Sequence, residues 1–330
     1  MRRIITICLT LSLFLTVKAQ YIPAFPKEEK KDPGTNYWSK GNSFRHLEVS
    51  LSAGTAGVGL DLAVPLCTFM QLRLGYDYLP QLKKSFNMNL AGGGEAARQY
   101  NAQGYRIRTP FDNIEQYMYE QTGAELADHI VMKGKTTMHN MKVLLDFYPF
   151  KYNKHWYFTT GIYWGPAEFL KAENDPQSDN TIALMKDYNQ RYDAADADSP
   201  LKGYGRLSLY PGVYAHDRTI GLTQHRKGDP YLTDPTEDGK VEIHTKSNAV
   251  KPYVGVGYTG RLAKTRDDWK ISAELGAMIW GGTPDQRLHD GTDLSKDVDK
   301  IQGSMGSTIR LTEALKVFPV VSVRFAKTIF

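Results

Sequence analysis

Residues 70–78 read Met-Gln-Leu-Arg-Leu-Gly-Tyr-Asp-Tyr, and side chains of two characters alternate there without interruption. Successive side chains of a β-strand point to opposite faces, so a two-residue period predicts a strand between two different environments. The apolar face carries Met70, Leu72, Leu74, Tyr76 and Tyr78, and the other face carries Gln71, Arg73, Gly75 and Asp77.

The same alternation recurs in seven other segments. With 69–79, the predicted strands are about 45–54, 57–65, 138–149, 155–165, 250–262, 269–280 and 316–330. A tilted strand needs roughly 9–11 residues to cross a bilayer, which these segments approach or supply. Residues 50–64 also fit one long strand with a glycine-rich bend; we count two because bacterial barrels use even strand numbers. The prediction is an all-β fold, an eight-stranded antiparallel barrel.

A soluble barrel with an apolar interior would show the same alternation, so other features must decide which face meets lipid. Aromatic residues gather at the strand ends, as they do at membrane interfaces. These residues are Tyr76, Tyr78, Trp156, Trp164, Tyr258, Trp269 and the final Phe330. Connections 80–137, 166–249 and 281–315 are long, whereas most others are short. We therefore predict a transmembrane β-barrel over 45–330 with long extracellular loops and outer-membrane lipid around it.

In this register the charged residues of the strands face the lumen. They are Glu48, Asp61, Arg73, Asp77, Lys142, Asp146, Lys251, Arg261, Lys270, Glu274 and Arg324. Five acids and six bases in a barrel narrow enough for side chains to fill predict an internal ion-pair network. We expect a plugged scaffold rather than an open pore.

The first nineteen residues predict a secretory signal peptide, with Arg2 and Arg3 before an apolar run of about fourteen residues and a small-residue cleavage site at Ala19. Residues 20–44 are rich in Pro, Lys, Glu and Asn, and they predict a polar periplasmic lead-in. Export to the outer membrane is the expected localisation.

Removal of the signal peptide changes the charge and cysteine arguments. The chain has a net charge of +5, and the signal peptide carries three bases and no acid, which leaves +2 for the mature chain. This near balance gives no reason to expect a nucleic-acid partner. Cys67 is then the single cysteine, so no intramolecular disulfide is expected.

Several motifs resemble a family of small Gram-negative outer-membrane barrels that is related in architecture to the barrel of outer membrane protein A. The motifs are Gly54-Thr55-Ala56-Gly57-Val58-Gly59, Leu72-Arg73-Leu74-Gly75-Tyr76, Leu144-Leu145-Asp146-Phe147-Tyr148-Pro149-Phe150, Lys251-Pro252-Tyr253-Val254-Gly255-Val256-Gly257, Ile279-Trp280-Gly281-Gly282-Thr283-Pro284 and Phe318-Pro319-Val320-Val321-Ser322-Val323. The resemblance covers the strands and implies a fold, not an activity. Phe325 and Phe330 differ in parity, so we expect a bulge near Lys327-Thr328. The peptidoglycan-binding domain of outer membrane protein A is not expected.

The loops hold the remaining functional hypotheses. Residues 111–131 and 181–192 have helical spacing of apolar residues, either to pack over the barrel mouth or to present a surface to an extracellular ligand. A structural or surface-binding barrel is the leading hypothesis, with a narrow channel as the alternative. A lipid- or peptide-processing enzyme is less favoured; its loop candidates are His216-Asp217-Arg218 and His225-Arg226-Lys227. No cofactor or metal is expected, and the C-terminal strand is expected to engage the barrel-assembly machinery.

Overall fold

The computed structural model describes residue 44 and residues 46–93, 100–150, 153–263, 266–301, 303–314 and 316–329. The predicted signal peptide, nearly all of the predicted lead-in, and Phe330 lie outside the described residues.

The described residues form strands in three sheets, one hairpin and several helices. The strands are β1 (Glu48–Gly54), β2 (Gly57–Pro65), β3 (Met70–Leu79), β4 (Lys83–Asn89), β5 (His129–Thr136), β6 (Met138–Phe147), β7 (Trp156–Trp164), β8 (Glu168–Asn174), β9 (Leu209–Tyr214), β10 (Arg218–Ile220), β11 (Thr223–His225), β12 (Pro230–Thr233), β13 (Glu242–Lys246), β14 (Val250–Ala263), β15 (Arg266–Ile279), β16 (Asp285–Leu288), β17 (Val298–Asp299) and β18 (Val317–Thr328). The α-helices are α1 (Pro110–Thr122), α2 (Asp179–Ala194), α3 (Pro200–Tyr204) and α4 (Gly303–Glu313), with a 3₁₀ turn at Pro176–Ser178.

Eight strands close into a barrel in the order β1-β18-β15-β14-β7-β6-β3-β2. Every neighbouring pair is antiparallel, and β18 pairs with β1 to complete the circle. This confirms the predicted eight-stranded antiparallel barrel. β1 and β2 are two strands joined by a tight turn at Thr55 and Ala56, so the alternative of one long strand is wrong.

The three long connections are not loops but one folded module, which we call the cap. All three leave the same end of the barrel, the cap end. Their strands form a five-stranded sheet in the order β16-β13-β8-β5-β4. This order repeats that of the barrel strands β15, β14, β7, β6 and β3, to which the cap strands connect in the chain. The cap sheet is therefore a continuation of one side of the barrel wall.

The cap has an apolar core of its own. Two sheets, β16-β13-β8-β5-β4 and β12-β9-β17, and the helices contribute to one buried cluster. Among its fully buried members are Met118, Ile130, Tyr188, Leu209, Tyr231 and Val241. Because these residues come from different connections, the connections stabilise one another by burying shared apolar surface.

Two sequence predictions need correction. The helix predicted over 111–131 ends at Thr122, because Gly123 adopts a left-handed φ of 71° and caps the helix, and His129 then begins β5. The helix predicted over 181–192 is confirmed as α2. The bulge expected near Lys327-Thr328 is wrong: β18 keeps a continuous register with β1 through both residues.

Candidate functional site

The lumen is organised around the buried guanidinium of Arg73. Arg73 Nη2 lies 2.8 Å from Asp146 Oδ1 and 2.8 Å from Glu274 Oε2. The hydroxyls of Tyr253 and Tyr157 donate to Glu274 at 2.6 and 3.1 Å. Five side chains from five strands are thereby joined across the barrel, and each buried charge has an opposite charge or a donor beside it.

A second cluster surrounds Lys142. Its ammonium lies 2.8 Å from Asp61 Oδ1 and 2.6 Å from Asp77 Oδ1. Gly75 makes this arrangement fit, since a Cβ there would lie 2.0 Å from Asp61 Oδ1 and 2.6 Å from Lys142 Cε. A glycine on the lumenal face of β3 therefore provides the space that the ion pair occupies.

The other predicted lumenal bases differ in their surroundings. Lys270 pairs with Glu48 at 2.8 Å, near the end with the short turns. Lys251 is buried but donates to the Asn140 amide oxygen at 3.4 Å rather than to a carboxylate. Arg261 lies toward the end of β14 and is exposed, so it does not belong to the buried set. Five acids and five bases then remain in the lumen, and their formal charges balance.

Above the charges, an apolar plug fills the cap end of the lumen. Trp280 is 2% exposed; its ring is stacked on Phe318, with centroids 5.4 Å apart, and it contacts Phe169 at 4.5 Å. Met278 and Val320 are buried in the same cluster. The plug was not predicted from the sequence, although Met278 and Trp280 share the strand parity of the lumenal Glu274.

The predicted interface aromatics form two girdles. Tyr76, Tyr78 and Trp164 lie toward the cap end, with Tyr78 opposite His139 and Trp164 opposite Met141. At the other end Trp156 meets Tyr258 edge-to-face at 5.2 Å, and Lys327 lies 5.4 Å above the Trp269 ring. Phe330, the remaining predicted member, lies outside the described residues.

The outer face of the barrel, at and between the girdles, is apolar and exposed. Its large exposed side chains are Leu51, Val58, Leu60, Leu62, Leu74, Met141, Val143, Phe158, Ile162, Val250, Val254, Leu275, Val317, Val321 and Phe325. A contiguous apolar surface of this extent is unfavourable in water, whereas a belt framed by aromatics matches a bilayer. The fold thus defines an outer-membrane β-barrel protein.

The cap surface contains a groove of about 430 Å³ along α1. Arg106, Arg108 and Tyr119 line it, and Arg108 donates to Gln116 at 2.5 Å. Glu115 also lines the groove, and partial burial, followed by the nearby Asp112, raises the pKa of its carboxyl. Beside the groove, Tyr105 is 72% exposed on the hairpin that carries Arg106.

The loop histidines proposed for an enzyme have other partners. His216 Nε2 lies 3.5 Å from Asp297 Oδ1, while Oδ2 of the same carboxylate accepts from Arg218. His225 is stacked on Tyr214. In the part of the chain that the structure describes, no group of three His, Cys, Asp or Glu side chains could hold a metal. No helix among the described residues has the length and apolarity to span a membrane.

At the end opposite the cap, the short-turn end, a cavity of about 390 Å³ enters the lumen. The turn between β2 and β3 forms part of its rim through Cys67 and Thr68. Gln71, Lys270 and Arg324 line its wall. In outer-membrane barrels the short turns face the periplasm.

Comparison with known proteins finds neither a matching protein-family model nor a matching curated protein. Among solved structures, the chain is similar to CarO2 of Acinetobacter baumannii at 14% identity and a TM-score of 0.39, over 86% of this chain and 98% of that one. The chain is also similar to CarO of the same organism, at 13% identity and a TM-score of 0.36, over 85% of this chain and 96% of that one. The similarity to the Pseudomonas putida toluene transporter TodX is lower, at 7% identity and a TM-score of 0.18, over 86% of this chain and 66% of that one. The class of this protein rests on its own barrel and exterior.

Proposed function

We propose that this protein is a sealed outer-membrane anchor that displays a folded binding module at the cell surface. The observation that carries the proposal is the cap, in which three separate connections share one apolar core. Short turns would suffice to connect neighbouring barrel strands, so the many side chains that form this core are not needed for the barrel itself. Binding residues are favoured on segments held by a rigid scaffold, and the cap sheet extends the barrel wall.

The contents of the lumen support an anchor rather than the alternative, a narrow channel. Arg73 on β3 pairs with Glu274 on β15, on the opposite side of the barrel, and Lys142 pairs with Asp61 two strands away. Trp280 and Phe318 fill the cap end. A conducting path would have to displace both the charged side chains and the apolar plug. Eight-stranded barrels are narrow enough for side chains alone to close them.

The groove on α1 is the binding surface that we propose. Tyr and Arg are the residue types most enriched where binding energy concentrates, and Arg106, Arg108, Tyr105 and Tyr119 lie in or beside this groove. Binding rather than catalysis is favoured, since the loop histidines His216 and His225 have structural partners. We also propose an architecture shared with the barrel of outer membrane protein A, and assembly through the C-terminal strand by the barrel-assembly machinery.

Conductance tests the sealed anchor. Purified protein that shows a heat-dependent shift in gel mobility would be inserted in planar bilayers, with a general porin as the positive control for insertion. The proposal expects no steady current steps, because the charge network and the plug occupy the lumen. Reproducible steps of one size from heat-modifiable protein would favour the channel.

Groove variants test the binding role. Cells displaying the wild type would be compared with cells displaying Arg108→Ala/Tyr119→Ala for retention on arrays of immobilised glycans and extracellular proteins. Loss of two central Tyr or Arg side chains should reduce binding by about tenfold or more. Lys133→Ala, on a part of the cap away from the groove lining, serves as the control. Equal retention by the groove variant and the wild type would exclude this surface.

A further inference from the structure

The cavity at the short-turn end has a wall of cationic and amide donors. Lys154, Lys270 and Arg324 contribute three positive charges, and Glu48 contributes one negative charge. Glu48 is already paired with Lys270 at 2.8 Å. The lining therefore has an excess of two positive charges, although the lumen as a whole is balanced, and this excess favours an anion over a cation.

Two side chains in this wall have buried donors without partners. Arg324 is 3% exposed, and neither its Nε nor its Nη1 atom makes a hydrogen bond. Its nearest carboxylate oxygen is Asp146 Oδ2 at 3.7 Å, beyond hydrogen-bond reach. Gln71 is 8% exposed, and its Nε2 atom is also unpartnered. Buried donors of this kind are rare in folded proteins and call for an explanation.

The Asp146 carboxylate beside Arg324 has one oxygen, Oδ1, that other groups occupy, and one, Oδ2, that makes no hydrogen bond. Asp146 Oδ1 accepts from Arg73 at 2.8 Å and from the Thr159 hydroxyl at 2.8 Å. The Arg324 guanidinium instead lies 5.7 Å above the Tyr157 ring, a contact that holds its plane but uses none of its N–H groups. Arg324 is thus fixed in place with donors free, which is the state of an arginine prepared for an oxyanion.

We propose that this cavity binds a small solute bearing a phosphate or carboxylate, which enters from the periplasmic side and pairs with Arg324. Gln71 donates its amide N–H groups, and Lys270 and Lys154 attract the anion at the entrance. The volume of about 390 Å³ fits a metabolite-sized molecule rather than a polymer. The site is separate from the cap and does not depend on the proposed binding module.

Cys67 provides a local readout because it lines the same cavity and is the single cysteine after the predicted signal peptide. The rate of Cys67 alkylation by a small neutral maleimide would be measured on the mature protein in detergent micelles. Inorganic phosphate and succinate would be titrated separately at constant ionic strength, with chloride as the reference. We expect phosphate or succinate to slow alkylation at least threefold, and the more potent of the two identifies the class of oxyanion.

Variants assign the effect to the proposed residues. Arg324→Gln should abolish protection. Lys154→Gln, at an exposed position on the rim, should raise the anion concentration for half-protection about threefold without affecting folding. Lys133→Gln in the cap should behave as the wild type. The proposal is overturned if neither anion protects Cys67 beyond chloride, or if heat-modifiable Arg324→Gln is protected like the wild type. If Arg324→Gln does not fold, protection of Lys154→Gln at wild-type anion concentrations overturns it.

Discussion

Single residues in the lumen determine whether the buried charges of this barrel are compensated by opposite charges. Arg73 is surrounded by Asp146 and Glu274, and all three side chains are at least 94% buried. In a low-dielectric interior, the attraction between opposite charges offsets the cost of removing each charge from water. The loss of one partner therefore leaves an uncompensated buried charge. The barrel interior is therefore sensitive to single substitutions in a way that its lipid-facing surface is not.

Arg73→Met should lower the free energy of unfolding by about 3–5 kcal/mol, since it leaves Asp146 and Glu274 without their shared cation. Urea unfolding in lipid vesicles, followed by the gel-mobility shift, measures this change. Lys133→Met is the control: its pair with Asp175 lies on the cap surface and is partly exposed, and its loss should change stability by less than about 1 kcal/mol. A loss below about 1 kcal/mol for Arg73→Met would contradict the network.

Gly75→Ala should destabilise the barrel by about 1–3 kcal/mol, because the added Cβ collides with Asp61 Oδ1 and Lys142 Cε. Gly260→Ala is the matched control, since a Cβ built on this barrel-strand glycine meets no atom within 4 Å. Urea midpoints of the two variants in the same lipid give the comparison. Equal midpoints would mean that the lumen is looser than the Lys142 cluster implies.

At the scale of elements, the cap sheet prolongs the barrel wall, and its surface carries exposed ion pairs. Lys171 Nζ lies 2.7 Å from Glu173 Oε1 on β8, and this hydrogen bond holds the pKa of Glu173 below its ordinary value of 4.5. A carboxylate with a lowered folded pKa stabilises the fold above its unfolded pKa, and this stability is lost as the pH falls through the folded pKa. The cap should therefore weaken in acid.

Glu173→Gln should lower cap stability at pH 7 by at most about 1 kcal/mol and reduce the difference in stability between pH 7 and pH 3. Thermal melting at 222 nm reports on the cap, because the described helices all lie there. Glu115→Gln is the opposite control: its raised pKa means that ionisation at pH 7 opposes folding, so the variant should not lose stability. The same pH dependence in wild type and Glu173→Gln would exclude this pair as a cause.

The eight barrel strands could be predicted because every second residue of such a strand faces lipid and is therefore apolar. The strand predicted at 69–79 is observed at 70–79, and the predicted lumenal bases Arg73 and Lys142 face inward. In the cap, buried and partly exposed side chains also alternate along strands such as β5. Its partners β4 and β8 are far away in the chain, so the local sequence pattern does not identify them. The lumenal plug was missed because Trp280 follows the parity of the charged face while being apolar itself.

At the scale of the whole molecule, the chain divides its apolar surface between two environments. Barrel residues such as Leu60 and Phe158 are exposed toward lipid, whereas cap residues such as Ile130 and Leu209 bury one another. The charge network and the plug separate the short-turn cavity from the cap. This division is what a sealed anchor with a displayed module requires.

Cysteine labelling of intact cells tests this account most directly. Leu222 is fully exposed at the tip of the β10–β11 hairpin of the cap, and Cys67 lies at the short-turn end. A polyethylene-glycol maleimide too large for outer-membrane pores should label Leu222→Cys, in a Cys67→Ser background, on intact cells. It should label the wild-type Cys67 only after the outer membrane is permeabilised. Labelling of Cys67 but not of Leu222→Cys on intact cells, or recovery of the protein in the soluble fraction, would contradict the account.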